Sequence, residues 1–241
     1  MCLCLCLGYT CNEIIEFVNR SFAEDDIITM DANEILGLLT NYGVNSGTII
    51  NKLTEKIIYE KIGVYDINFI DLAKRTGKNL VVCVANLTRE RDEFFCVDTT
   101  PELSVVTAIR VSCSIPMIFT PITINDDVYL DGGIYNNFPI DYLKGNTVKD
   151  IFGINIISKC YQKTDNFLDY TKFIMFSIIE KLNKKNINDK DRNIVTLEFD
   201  GSEPFISSAN FRITVSKEQV ATYVKFGYKK TKEVLCGTIP A

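Results

Sequence analysis

Residues 108–141, AIRVSCSIPMIFTPITINDDVYLDGGIYNNFPID, carry the strongest fold signal in this 241-residue chain. A helical pattern runs into the stretch and is ended by Pro116, because proline cannot continue a helix. Two strand patterns follow, Pro121 to Ile124 and Val128 to Leu130. They flank Asn125-Asp126-Asp127, whose residue types favour a tight turn. The stretch therefore predicts a helix followed by a β-hairpin.

The hairpin's second strand leads directly into Asp131, followed by Gly132 and Gly133. We expect the strand end to hold the carboxylate rigidly at the rim of the sheet, where open α/β sheets bind ligands. The two glycines let the backbone turn sharply and approach a ligand closely. A carboxylate placed there can accept a proton from a nucleophile without an intervening histidine. Taken alone, Asp-Gly-Gly also fits an ordinary tight turn, so its context decides.

Working outward, strand and helix patterns alternate along the chain. The apolar run Asn79 to Asn86 predicts a strand buried on both faces. Charged residues Thr88 to Glu93 predict a turn, and Phe94 to Val97 a second strand. Thr100-Pro101-Glu102 predicts a helix start with proline at the first helical position. Downstream, strands are predicted at 150–157 and 193–199, and helices at 170–182 and from a capping box at Ser216 to about Leu235, with a solvated loop near 181–192.

The N-terminal third is helical in pattern. Met1 to Leu7 resembles the tail of a buried helix. Further helices are predicted from a capping box at Thr10 and Glu13, from a second at Asp31 to Leu39, from a cap at Ser46 to Gly63, and from Asn68 to Gly77. With the strands downstream, the pattern indicates one α/β domain over residues 1–241, with a largely parallel sheet and at least one hairpin.

Composition excludes several classes of function. The chain has no His, so it cannot assemble a Ser-His-Asp triad by itself. Its formal net charge is -5 with a sequence pI of about 5.0, which argues against nucleic acid as a partner. No apolar stretch reaches the ~18 residues needed to span a bilayer, and no basic residue precedes the short apolar opening, as a signal peptide would require. We expect a cytoplasmic protein.

Nine cysteines are present without any Cys-x-x-Cys pair, as suits reduced thiols in a cytosol. Cys2, Cys4 and Cys6 alternate with leucines. This run is either a metal clasp or, the better interpretation, a set of small apolar residues in a buried segment. No dinucleotide, P-loop or calcium-loop pattern occurs, and no metal or cofactor is predicted.

The helix ending in Ser-Ile-Pro, the hairpin, the Tyr-Leu-Asp-Gly-Gly turn and the Asn-Asn-Phe-Pro-Ile-Asp exit together resemble patatin-like phospholipases. The resemblance covers nearly the whole chain and implies a three-layer α/β fold. It also implies that Asp131 is the base of a Ser-Asp dyad, that phospholipids or other lipid acyl esters are the substrates, and that no cofactor is needed. Peripheral contact with a membrane is compatible with such substrates.

The chain departs from the family in lacking Gly-x-Ser-x-Gly and the glycine-rich oxyanion loop. The nearest string is Gly43-Val44-Asn45-Ser46-Gly47, which is predicted to lie between two helices, so Ser46 is read as a helix cap. The sequence thus predicts a domain truncated at its N-terminus that lacks the first strand or strands and the nucleophile elbow. A truncated product, a misplaced gene start and a loss in the lineage all remain open, as does a non-catalytic lipid-binding or partner-binding role.

Three other polar residues have two interpretations each. Arg110 either contacts an anionic head group or, preferably, forms a surface ion pair. Asn136 and Asn137 either line the site or serve a turn. If strands are missing, we also expect a badly covered strand, exposed apolar residues on the first helix, and poor solubility.

Overall fold

The computed structural model describes residues 1–24, 40–143, 151–158, 167–182, 193–199 and 217–236. The chain divides into two compact units, Met1–Asn137 and Phe138–Ala241, and each is described by itself. The single domain over residues 1–241 therefore stays a prediction. No helix in the described ranges is both long and apolar enough to cross a bilayer.

Six helices are described in the first unit. They are α1 (Cys2–Cys6), α2 (Cys11–Glu24), α3 (Thr48–Ile62), α4 (Phe69–Thr76), α5 (Val105–Ser112) and the single turn α6 (Gly133–Asn136). Thr10 and Glu13 form the expected capping box, with Thr10 N donating to Glu13 Oε2 at 2.8 Å and Glu13 N to Thr10 Oγ1 at 3.3 Å. Asn68 caps α4, and Gly63 and Gly77 end α3 and α4 in the left-handed conformation.

The start of α3 corrects the sequence interpretation. A short strand, β1 (Gly43–Asn45), precedes Ser46, so this serine follows a strand and does not lie between two helices. The N-cap of α3 is Gly47 and it makes no side-chain capping bond; Ser46 Oγ instead lies 2.8 Å from Thr48 Oγ1. The strand was missed because three residues carry no periodicity. The helix predicted from Asp31 to Leu39 lies outside the described residues.

The start of α5 is a second correction. Thr100-Pro101-Glu102 forms a turn, and the helix begins at Val105 with Ser104 as its N-cap, whose Oγ accepts from Thr107 N at 3.0 Å. The cause is tertiary. Pro101 O accepts from Ile70 N at 3.0 Å, and Val105 N donates to Ile67 O at 2.9 Å. These bonds tie the turn to the start of α4 and delay the helix.

Four strands of the first unit form one antiparallel sheet. They are β2 (Val82–Asn86), β3 (Arg91–Phe95), β5 (Ile122–Ile124) and β6 (Asp127–Asp131), in the order β3-β2-β6-β5. The predicted turn at Thr88 to Glu93 is too long, since Arg91 to Glu93 already pair with β2. Their charges are tolerated because β3 is an edge strand, where Arg91 and Glu93 form an ion pair at 2.7 Å.

The predicted hairpin is confirmed. Ile124 pairs with Asp127, which leaves Asn125 and Asp126 as a two-residue loop with φ of 49° and 68°. Positive φ at both positions is what a type I′ turn requires, and it matches the right-handed twist of the strands. Strand β4 (Met117–Phe119) pairs in parallel with β1 as a separate two-stranded sheet.

The core of the first unit lies between its helices and its antiparallel sheet. Val84 and Ala85 of the central strand β2 are wholly buried, as the continuous apolar run predicted. The largest fully buried apolar side chains there come from α3, α4, α5 and β4 as well as β2: Ile58, Phe69, Leu72, Val84, Val105, Val111 and Ile118. Leu3 of α1 and Leu7, which follows the helix, join the core, while Leu5 is half exposed, in line with the exposed apolar residues expected on the first helix.

The second unit contains two parallel strands and two long helices. They are β7 (Phe152–Ser158), α7 (Phe167–Leu182), β8 (Asn193–Phe199) and α8 (Lys217–Cys236), after a 3-10 turn at Ile140–Leu143. The prediction that strand β7 is buried throughout is wrong: Phe152, Ile154 and Ile156 are about half exposed, whereas Gly153 and Asn155 are buried. The predicted cap at Ser216 and most of the loop near 181–192 lie outside the described residues.

The α/β class is confirmed, with parallel pairing in β1–β4 and β7–β8. The sheet that carries Asp131 differs from the largely parallel arrangement expected. Strands β2 and β3, and β5 and β6, are joined by turns of a few residues, which leave no room for the crossover that parallel strands need.

Candidate active site

Asp131 is the last residue of β6, as predicted. Its amide donates to Ser114 O at 3.1 Å, and its backbone pairs with Val84 of the central strand. One carboxylate oxygen, Oδ1, accepts from Gly133 N at 2.8 Å. Burial raises the pKa of Asp131 to about 6, and the Gly133 hydrogen bond opposes this rise. The side chain is therefore a fixed carboxyl group whose charge changes close to neutral pH.

Gly132 and Gly133 are required because neighbouring atoms lie too close to leave room for a side chain, and not because the backbone is left-handed there. Gly132 has φ of -59°, a conformation open to any residue, and α6 begins at Gly133. A Cβ at Gly132 would lie 2.4 Å from Cys83 O of the central strand, so any side chain there would push β6 away from β2. A Cβ at Gly133 would lie 3.1 Å from both Asp131 Oδ1 and Asn137 Oδ1. The motif therefore requires small residues beside the carboxylate.

Asn136 fastens the turn that follows Asp131. Its buried side chain donates from Nδ2 to Asp92 Oδ2 at 2.7 Å, and its carbonyl accepts from the Cys83 thiol at 3.8 Å. Turn propensity alone does not account for such a bridge between elements. The side chain of Asn137 lies beside Gly133, next to the Asp131 carboxylate.

Cys113, the residue that ends α5, is a neighbour of Asp131 that the sequence did not reveal. Burial and the nearby negative charge of Asp131 raise the pKa of its thiol to about 11. A thiol with so high a pKa is a poor nucleophile. A single cysteine carries no motif, so nothing in the sequence signals this proximity, which the structure shows through the charge effect and the bond from Asp131 N to the adjacent Ser114 O.

Arg110 fulfils neither of its predicted roles. Only 3% exposed, it cannot form a surface ion pair or meet a head group in solution. Its Nη2 donates to Ser46 O at 2.7 Å and to Thr120 O at 3.0 Å, and its Nη1 donates to Ser114 Oγ at 2.6 Å. Among the described residues it has no carboxylate partner, and burial lowers its pKa. Arg110 is an internal clamp that holds the turn after β1 to both ends of β4.

The two serines considered as nucleophiles are placed differently. Ser114 is wholly buried, and its Oγ donates to Arg110 O at 2.8 Å while it accepts from the guanidinium. A substrate cannot reach it. Ser46 is exposed, and its Oγ is paired with Thr48 Oγ1. No hydrogen bond of the described residues joins Ser46 to Asp131.

The N-terminal cysteines also separate. Cys4 is buried, Cys6 is half buried and Cys2 is exposed, so the interpretation as small buried apolar residues holds fully for Cys4 only. Across the described ranges, no three His, Cys, Asp or Glu side chains are grouped so as to hold a metal ion.

Comparison with known proteins agrees with the resemblance drawn from the motifs. A family model described as patatin-like phospholipase matches residues 1–144. A probable lipid hydrolase of Invertebrate iridescent virus 6 is 30% identical over 187 residues, covering 74% of this chain. An uncharacterized protein of Acanthamoeba polyphaga mimivirus is 26% identical over 205 residues, covering 79% of the chain.

The chain spans 63% and 66% of the lengths of these two relatives. Among solved structures it is similar to VipD from Legionella pneumophila, with a TM-score of 0.48 and 19% identity, covering 94% of this chain and 47% of that one. The family match does not depend on that structure. Because the family model covers more than half of the sequence, the protein belongs to the patatin-like phospholipase family.

Proposed function

We propose that this protein contributes the carboxylate base of a lipid acyl ester hydrolase, and that the base is Asp131. The observation that carries the proposal is the placement of Asp131 at a strand end, with one oxygen fixed by Gly133 N and a pKa raised to about 6. A base of this pKa is charged at neutral pH and still accepts a proton without a large penalty. Family membership and a relative named as a probable lipid hydrolase support the substrate class.

In the proposed reaction, a serine hydroxyl attacks the ester carbonyl of a phospholipid or other acyl lipid. Its proton passes to the Asp131 carboxylate, and the same proton leaves with the alcohol when the tetrahedral intermediate collapses to an acyl-enzyme. Water then attacks the acyl group, with Asp131 again taking the proton and returning it to serine. Oδ2 suits this role, because in the described part of the chain only Oδ1 accepts a hydrogen bond.

The serine is the part that these residues do not supply. No Gly-x-Ser-x-Gly occurs in the sequence, and the chain contains no His to activate another serine. The proposed reaction therefore requires a nucleophile and oxyanion donors that no motif in these 241 residues provides. Loss of a single oxyanion donor typically costs on the order of 10²–10³ in rate, so Asp131 with water alone would be a very weak catalyst.

We therefore predict that the 241-residue chain does not hydrolyse phospholipid or p-nitrophenyl acyl esters above background. Adding a segment with the glycine-rich loop and Gly-x-Ser-x-Gly should restore activity, which Asp131→Asn should abolish. The restored rate should fall as pH drops through about 6, because protonated Asp131 cannot accept a proton. Turnover by the unmodified chain that Asp131→Asn removes would contradict the prediction. Ser46 would then be tested first, since Ser114 is inaccessible.

Lipid binding without catalysis is the second candidate function, favoured by the absence of the nucleophile motif. In that case the protein would bind the acyl lipids named above without hydrolysing them, and its contact with a membrane would be peripheral. Binding of phospholipid vesicles by the unmodified chain, together with no release of fatty acid from them, would support this role. If the chain neither binds vesicles nor hydrolyses their lipids, the remaining role for the fold is assembly with a protein partner.

A further inference from the structure

The single turn α6 begins at the residue whose amide holds the Asp131 carboxylate, and its other end is tied to a neighbouring strand. Gly133 N donates to Asp131 Oδ1 at 2.8 Å. Three residues later, the buried Asn136 donates from Nδ2 to Asp92 Oδ2 at 2.7 Å. Asp92 lies on β3, the edge strand, two strands away from β6. This hydrogen bond therefore links the sheet edge to the turn behind the carboxylate.

The turn depends on tertiary contacts to keep its place. Four residues form one helical turn, and a helix so short is not stable without tertiary contacts. It packs against β2 and β3. Asn136 bonds to both strands: its side chain donates to Asp92 on β3, and its carbonyl accepts from the Cys83 thiol on β2, which is a weak donor.

We propose that the Asp92–Asn136 hydrogen bond positions the Asp131 carboxylate by holding α6, and with it the Gly133 amide, against the sheet. This inference rests on the proposed role of Asp131 as the base. Asp92 and Asn136 are positioning residues here, since neither contacts the reacting atoms. When the bond is broken, α6 shifts and Gly133 N withdraws from Oδ1. The carboxylate then rotates more freely and loses a donor that favours its charged form.

A matched pair of variants separates the hydrogen bond from the charge of Asp92. Asp92→Asn and Asp92→Leu both remove the negative charge, but only asparagine keeps an oxygen that accepts from Asn136. Cys113 is the titratable side chain whose pKa responds to the charge of Asp131, and Arg110 also affects the pKa of Cys113. Both variants leave Cys113 and Arg110 unchanged. Any difference between the variants thus reports on the hydrogen bond.

The readout is the titration of Asp131 in the full chain, followed by ¹³C NMR of labelled aspartate carboxyls and assigned by the signal missing in Asp131→Asn. We expect the pKa of Asp131 to be about 0.5 to 1 unit higher in Asp92→Leu than in Asp92→Asn. The Gly133 amide should also exchange with solvent at least several-fold faster in Asp92→Leu. A purely structural role for Asp92 would lower stability without moving either quantity.

Equal pKa values and equal Gly133 exchange in the two variants would overturn the proposal. If Asp92→Leu does not fold, Asn136→Ala takes its place, with the same shift expected relative to the wild type. None of these measurements requires hydrolysis. Failure of Asp131 to act as a base would appear as activity that survives Asp131→Asn, whereas failure of the positioning role would appear only in the titration and exchange data.

Discussion

At the scale of single residues, the energetics of the site centre on a carboxyl group that folding makes harder to ionise. Asp131 has an ordinary pKa near 3.8 in the unfolded chain and a pKa of about 6 in the folded protein. Between these values the folded state binds the proton more tightly than the unfolded state does. The contribution of Asp131 to the free energy of unfolding therefore falls as pH rises from 4 to 6, and it does not change further above pH 6. Ionisation of Asp131 in the folded protein therefore lowers the free energy of unfolding by up to about 3 kcal/mol.

We predict that Asp131→Asn becomes progressively more stable than the wild type as pH rises from about 4 to about 8. The gain should approach about 2 to 3 kcal/mol, because asparagine has no charge to desolvate. Urea unfolding followed by circular dichroism at the two pH values measures it. Cys113→Ala serves as a control, since it keeps the carboxyl group and should retain the pH dependence of the wild type. A difference between Asp131→Asn and wild type that is independent of pH would contradict the assigned pKa.

The position of Asp131 was predictable because a hairpin and a run of two glycines are both local signals. The burial that raises its pKa was not, because the surroundings of Asp131 include Cys113 and Ser114, which belong to another part of the chain. The same holds for Arg110, whose helix gave no sign that its side chain would turn inward. Polar residues on a helix are usually exposed. Here the carbonyls of Ser46 and Thr120 and the Ser114 hydroxyl accept the hydrogen bonds of the guanidinium, which makes its burial favourable.

At the scale of elements, the clamp by Arg110 explains why the N-cap of α3 is a glycine. Gly47 has φ of 72°, and a Cβ there would lie 2.0 Å from Arg110 Nε. Gly63, at the other end of the same helix, has φ of 73° with no atom within 4 Å of the corresponding position. The two glycines thus share a backbone conformation and differ in what surrounds them.

We predict that Gly63→Ala costs only the left-handed penalty of about 1 to 2 kcal/mol. Gly47→Ala should cost at least about 4 kcal/mol, because it also displaces a buried guanidinium from its acceptors. Urea unfolding of both variants gives the comparison. In an Arg110→Met background the excess cost of Gly47→Ala should shrink. Equal costs at the two glycines would show that the guanidinium moves aside without losing its hydrogen bonds.

Elements with their own capping chemistry were predicted well, and those defined by partners were not. The caps at Thr10 and Asn68 and the hairpin loop are determined by residues that are adjacent in sequence. Strand β1 is set by pairing with Met117–Phe119, far along the chain, and the start of α5 is set by bonds to Ile67 and Ile70. A window of neighbouring residues contains none of that information.

At the scale of the whole molecule, the chain carries a formal net charge of -5. Anionic membrane surfaces attract basic segments and repel negative ones. If the protein binds membranes through acyl lipid contacts, electrostatics will not drive the binding.

The division into two units was not predictable from sequence, because no composition change or low-complexity linker marks the boundary at Asn137.

We predict that binding to phosphatidylcholine vesicles, measured by co-sedimentation, does not increase when anionic lipid is added. Raising the salt concentration should not weaken it either, since no net attraction is being screened. Binding that grows with the anionic fraction and falls with salt would indicate a basic surface that the overall charge conceals.

The pairing of β2 with β6 has a consequence for how the protein is made. Val84 and Asp131 are neighbours in the sheet but far apart in sequence, and the hairpins on either side of them close locally. Local hairpins form early, whereas joining distant strands requires closure of a long loop and is slow. On the ribosome, β2 and β3 emerge well before β6. Until β6 docks, the Asp131 carboxyl stays hydrated and titrates as in any peptide, so the proton affinity proposed for the base appears only when β6 pairs with β2.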